Sequence, residues 1–385
     1  MNPATTEFLR QRFCEYYKRT VLVPPPSLGQ REWGFVLFTP GSTDMRMRRH
    51  VGFSGREELF EYIRNLVPQH TYYSTAYYEK PDAGTMADKG WCGADLIFDL
   101  DADHIVRGPY DQMLARVKEE TEKLIAMLTD EFGMDKKSIT LVFSGGRGYH
   151  VHVRDIAFRS WGSAERRELI DYVCGIGINP AGMLSGKTPT ISGWQKRYSE
   201  TLLEYFTWLK VQDPAIALEH LLSYDGVGET SAERLMNDLP NLINKVNNNP
   251  QGLLVRNSQK ELWIQNEALR IIVSDDKGEF KKRLLSRAAL ADEPVTTDTK
   301  RLIRMPTSLH GGSGMRVQPL ELRDLHDFDP LTDAVVFGTR DVKVDLKFSL
   351  TLPMLGSTYE LQKGIITVPE AVAVFLCCRG MAEIT

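Results

Sequence analysis

No stretch of this 385-residue chain holds the run of about 18 apolar residues that a membrane-crossing helix needs. Cysteine is scarce. Cys14, Cys92, Cys174, Cys377 and Cys378 form no Cys-x-x-Cys pair and have no histidine at finger spacing. That pattern argues against a closed four-ligand zinc set, and the odd, scattered count argues against a disulfide framework. A surplus of positive charge is also missing. Lys and Arg number 47 against 51 Asp and Glu, a net charge of −4, so no global field draws nucleic acid. Any such contact must come from local basic patches or from a partner. The first 19 residues mix acids and bases and lack a signal peptide's apolar core, so the cytoplasm is the expected compartment.

What is present has the balance of a folded soluble chain, with 42% apolar and 25% charged residues. Its length suits two domains, or one domain with a large insertion. An amphipathic helix is expected over 7–19, closed by Pro24-Pro25-Pro26. Strands are expected at Arg31–Phe38 and Met45–Phe53, a helix over 56–67, and an aromatic strand through Tyr72, Tyr73, Tyr77 and Tyr78. A long helix follows from Tyr110 to Gly133. From Ser163 to about Ala289 helical patterns dominate, and the chain then returns to a basic, strand-like texture from Asp292 to Leu309. A closing helix is expected from Pro369 to about Arg379. The expected division is therefore 1–160, a mainly helical insertion over 161–289, and 290–385.

Chemistry concentrates in three places. Asp95-Leu96-Ile97-Phe98-Asp99-Leu100-Asp101 alternates with period two, as a strand does, with Asp95, Asp99 and Asp101 on one face. Two carboxylates two residues apart lie roughly 6–7 Å apart at Cα, close enough to share a pair of cations. Ser144-Gly145-Gly146-Arg147-Gly148-Tyr149-His150 is a glycine turn between two apolar strands, which makes a hairpin or a tight strand return. It matches neither a Walker loop nor a dinucleotide fingerprint; its glycines let N–H groups approach an anion, and Arg147 offers a planar fork. Arg301-Leu302-Ile303-Arg304-Met305-Pro306-Thr307-Ser308-Leu309-His310-Gly311-Gly312 sets cations beside a second small-residue loop, a setting suited to a triphosphate. A third carboxylate could come from Asp292 or Asp298, and the chemistry alone does not choose.

Taken together, in this order and spacing, the three stretches resemble the small catalytic subunit of the archaeal and eukaryotic replicative DNA primase, archaeal branch. Arg31-Glu32-Trp33-Gly34-Phe35 and Arg49-His50-Val51-Gly52-Phe53 are similar to family segments as well. The resemblance implies an α+β primase-polymerase catalytic domain, mixed or antiparallel sheets flanked by helices, with a mainly helical inserted subdomain. It implies Asp99, Asp101 and Asp292 as catalytic metal ligands for two ions, Mg²⁺ or Mn²⁺. It implies Ser144, Arg147, His150, Arg304 and His310 as nucleotide-binding residues. Many family members carry a cysteine-rich zinc knuckle after the acidic strand; here Ile105 to Gln112 contains no cysteine, so no structural zinc is expected.

The expected function is de novo synthesis of short primers on single-stranded DNA from nucleoside triphosphates, in a heterodimer with a large iron–sulfur subunit, at the nucleoid. A repair-type primase-polymerase shares this active-site logic but usually carries ligase, nuclease or helicase domains, for which the length leaves no room. A non-catalytic nucleic-acid-binding subunit would not need three acids matched to a basic cradle.

Overall fold

The computed structural model describes residues 1–39, 46–105, 108–185 and 192–385, with the side chain of His104 also outside the description. Met45, the expected start of the second strand, falls outside these residues. The chain divides into two compact units, one of Met1–Glu122, Met134–Ile170 and Leu290–Thr385, the other of Lys123–Gly133 and Asp171–Ala289. The fold class is α+β.

In the first unit, two four-stranded antiparallel sheets carry the architecture. One runs in the order Leu302–Arg304, His70–Ser74, Trp33–Val36, Met47–Val51. The other runs Gln318–Leu320, Ile139–Phe143, Gly148–Val153, Leu96–Asp101. The helix Pro3–Arg19 starts earlier than its apolar periodicity, because Asn2 accepts from the Thr5 N–H at 2.7 Å and Pro3 suits the first turn. Its Phe13, Tyr16 and Tyr17 pack with Trp33, Phe35, Tyr73 and Ile303 of the first sheet and with Ile97 of the acidic strand. A third sheet pairs Asp341–Leu346 with Gly364–Pro369 and Ala382–Ile384, and the helix Glu370–Cys378 beside it is almost wholly buried.

Two expectations need correction here. Asp292 to Leu309 is strand-like only over Leu302–Arg304; Glu293–Thr297 is a short helix with Asp292 at its N-cap. Asp-Glu-Pro is a helix-start signature that the basic texture obscured. The helix from Tyr110 ends at Ala126, and a π-helical turn, Met127–Glu131, follows before Gly133.

The second unit is helical around one core. Leu235, Leu239, Leu242 and Val246 form a stripe on Glu229–Asn248 and share that core with Leu202, Tyr205, Phe206 and Leu209 of Gly193–Val211. Pro240 lies on the exposed face of its helix. Arg197 donates to Glu131 at 2.9 Å, and Tyr172 donates to the same carboxylate.

Candidate active site

The acidic strand Leu96–Asp101 and the returning hairpin strand Gly148–Val153 fix each other's position. Their register places Asp99 opposite His150 and Asp101 opposite Gly148. Only glycine fits at 148: a Cβ there would stand 2.1 Å from the Leu100 carbonyl oxygen. Gly148→Ala is therefore expected to cost about 1–3 kcal/mol of stability and to pull the glycine turn away from the carboxylates. Thermal unfolding and nucleotide addition read both effects; an unchanged midpoint would mean that the two strands do not pack this closely.

Asp99 is enclosed, with about a fifth of its side chain open (21%). Burial, then the charges of Asp101 and Asp292, push its carboxyl up from 3.8 to about 7, against the pull of Arg301 and Arg304. Asp292 reaches this position through its backbone, whose N–H donates to the Asp99 carbonyl at 2.8 Å. Its carboxylate makes no capping bond to its own helix. Asp298 lies at the other end of that helix and accepts from the Lys300 N–H at 2.9 Å. Of the two alternatives, Asp292 is the one whose charge reaches Asp99.

Among the described residues, no three His, Cys, Asp or Glu side chains already close on a metal-ligating point. The donor chemistry nevertheless suits a hard divalent cation. Three carboxylates interact here, and the buried Nδ1 of neighbouring His150 has no hydrogen-bond partner among the described residues.

A cavity of about 690 Å³ opens over these groups. Val36, Met47, His70, Tyr72 and Arg304 line it from the first sheet, Asp99, Asp101 and His150 from the second. Ser144, Gly146 and Arg147 come from the glycine turn, and His310 to Gly312 from the later loop. The turn and the loop interlock. Gly145 has φ +75°, and a Cβ there would meet the His310 Cβ at 2.7 Å. The Ser144 hydroxyl holds the turn from inside, accepting from the N–H groups of Gly146 and Gly148 at 3.2 and 3.3 Å.

The histidines in this cavity are neutral. Burial, followed by Arg304 and Arg301, takes His150 down to about 3; burial and Arg304 take His70 to about 3. His310 is also held well below its ordinary value, first by burial and then by Arg304. Its Nδ1 accepts from the Gly312 N–H at 3.1 Å, so the ring proton sits on Nε2. The positive charge comes from arginine, and the histidines contribute hydrogen bonds.

The sequence profile of the DNA primase small subunit family matches residues 98–322. The chain is 64% identical over 384 residues to the DNA primase small subunit PriS of Methanoregula boonei, all of both chains being covered. It is 54% identical to that of Methanosphaerula palustris, with 100% of this chain and 99% of the relative covered. Against that of Methanospirillum hungatei it is 50% identical, with coverages of 100% and 98%. The chain belongs to the DNA primase small subunit family.

In this primase small subunit the cavity thus gathers seven of the eight sequence-predicted site residues, and Asp292 stands beside Asp99 without lining it. Asp95, read from alternation as sharing their face, is elsewhere. It is buried and accepts from Arg31 at 2.8 Å and from the Tyr77 hydroxyl at 2.6 Å. Arg147 forms an ion pair with Asp103, in the turn of helix after the acidic strand. Sequence reasoning missed His70 and Tyr72. Arg304 donates to the His70 Nδ1 at 2.7 Å and to the Tyr72 hydroxyl at 2.9 Å, with its guanidinium 5.1 Å from the Tyr72 ring centre. Their period-two spacing on the strand His70–Ser74, with Arg304 registered opposite Tyr72, was the available signal, and it needs the strand pairing to be read. Primase uses divalent metal as a family.

Proposed function

We propose that this chain is the catalytic subunit of a DNA primase, a nucleotidyltransferase that begins short primers on single-stranded DNA during replication. One observation carries the reading: a pair of strand carboxylates and two arginines from separate loops and strands line the same cavity. On this reading the first unit is the catalytic one and the second its helical insertion. Asp99, Asp101 and Asp292 would hold Mg²⁺ or Mn²⁺, which supplies positive charge at the reacting phosphate and favours ionisation of the attacking hydroxyl. Arg304, fixed by His70 and Tyr72, presents a guanidinium to phosphate oxygens. Arg147 joins it once a phosphate replaces Asp103 as its partner. Ser144 keeps the glycine turn in shape, and neutral His310 offers its Nε2 proton. His150, opposite Asp99 on the hairpin strand and with its Nε2 3.6 Å from the Asp99 carboxylate, would join the nucleotide contacts. Positioning and preorganised charge supply most of the acceleration.

A small subunit implies a large one. We propose the large partner to be iron–sulfur-containing, and that it helps a chain of net charge −4 grip its template. Among the described residues no helix is long and apolar enough to cross a membrane; the proposed place of work is the cytoplasm, at the nucleoid.

Arg304→Ala and Arg147→Ala test the cradle. Losing a charge-assisted phosphate contact costs roughly 1.5–3 kcal/mol, or about 10- to 150-fold in kcat/KM for nucleotide. Template affinity should change far less. Loss of template binding with a reduced salt dependence, and intact nucleotide kinetics, would make these side chains DNA-backbone contacts instead.

A further inference from the structure

We propose that Arg379 is a third guanidinium for the triphosphate of the incoming nucleotide, an inference that rests on the cradle reading above. Arg379 follows the last turn of the buried helix Glu370–Cys378, beyond the residues that the family profile matches. A cation there would ordinarily need no explanation beyond the helix's C-terminal dipole. Its surroundings point further. Arg379 lines the same cavity as Asp99, Asp101, Arg147 and Arg304. Among the described residues it has no carboxylate partner, whereas Arg147 is paired with Asp103.

Its guanidinium rests on an aromatic shelf, 4.8 Å from the Tyr110 ring centre and 5.7 Å from that of Phe375. The shelf is tied to the glycine turn, because the Tyr110 hydroxyl donates to the Gly146 carbonyl. The charges of Arg379 and Arg147 both reach Tyr110, and both reach His310. A guanidinium held over aromatic rings, unneutralised, and facing a cavity with other arginines is preorganised for phosphate oxygens. Phosphate could arrive as the nucleotide's triphosphate or as the template backbone. Arg379 shares its cavity with both carboxylates and with Arg304, which favours the triphosphate.

The test uses the full chain, with binding of ATP, AMP and a mixed-sequence single-stranded oligonucleotide measured in Mg²⁺. Arg379→Gln should weaken ATP by about 10-fold or more. AMP should weaken by no more than about 2-fold, and the oligonucleotide should be unaffected. Arg379→Lys should restore part of the loss, since it returns the charge without the fork. In the wild-type chain, Mg²⁺–ATP should shield Arg379 from an arginine-selective dicarbonyl reagent and AMP should not, a readout that no variant's folding can confound. The proposal is overturned if Arg304→Gln weakens ATP and Arg379→Gln does not, or if ATP leaves Arg379 unshielded. It is equally overturned if Arg379→Gln weakens the oligonucleotide and spares ATP. If neither Arg147→Gln, Arg304→Gln nor Arg379→Gln moves ATP affinity, the cradle reading itself has failed.

Discussion

Asp99→Asn and Asp101→Asn should each lower kcat/KM for nucleotide addition by about 10³-fold or more, since positioning a divalent cation is worth several kcal/mol in the transition state. Neither should unfold the chain. The asparagine at 101 keeps an acceptor for the Asp103 N–H, which now bonds the Asp101 carboxylate at 3.0 Å. At 99 the substitution should stabilise the metal-free chain. Burial and two neighbouring acids raise the folded Asp99 from 3.8 to about 7, so between those values the folded state binds a proton that the unfolded state has released. Wild-type stability from this group therefore falls as pH rises through that window, and levels off above about 7. Asp99→Asn lacks the penalty. Its advantage in thermal midpoint should be largest above pH 7 without metal and should fade towards pH 4. A midpoint below wild type by many degrees at pH 8 would recast Asp99 as a structural residue.

Four positions upstream the expectation inverts. Asp95→Ala should cost about 3–5 kcal/mol of stability, the toll of leaving a buried cation without its counter-charge. Arg31 is wholly buried; it donates to the Asp95 carboxylate and to the carbonyls of Ser74 and Thr75 at 3.0 and 2.6 Å. Its guanidinium lies 3.7 Å from the Tyr77 ring centre, and Arg154 adds a second cation 3.5 Å from Asp95. With the carboxylate gone, two arginines face each other across an apolar core. Denaturant unfolding measures the loss directly. A variant as stable as wild type but inactive would return Asp95 to the catalytic face.

Asp95 and Asp99 also mark how far a sequence can be read. Alternation places both on one strand face, and it sees no difference between a buried ion pair and a site. The difference is made by Arg31 and Arg154, about sixty residues away in either direction, which the fold brings to Asp95 alone. The glycine hairpin was legible because four small residues and Arg147 interrupt two apolar runs, and the observed register, Phe143 opposite Tyr149, is that of a tight return. The later loop was legible as basic and flexible, yet the neutrality of His310 was not, because it follows from burial among arginines of three separate segments. Tyr72 read as a member of an aromatic strand and His70 was not singled out; only pairing with Leu302–Arg304 makes them the seat of Arg304. Asp292 read as part of a strand, and its place as the N-cap of a short helix is what carries it to Asp99.

The central claim is that these groups together start new strands. The direct measurement supplies an unprimed single-stranded DNA template, nucleoside triphosphates and Mg²⁺ or Mn²⁺ to the chain with its large subunit. Short template-dependent products should appear, vanish on chelation, and vanish again when Asp99→Asn replaces the wild type. Products undiminished by Asp99→Asn and by Asp101→Asn, or extension of supplied primers with no synthesis on unprimed template, would contradict the account.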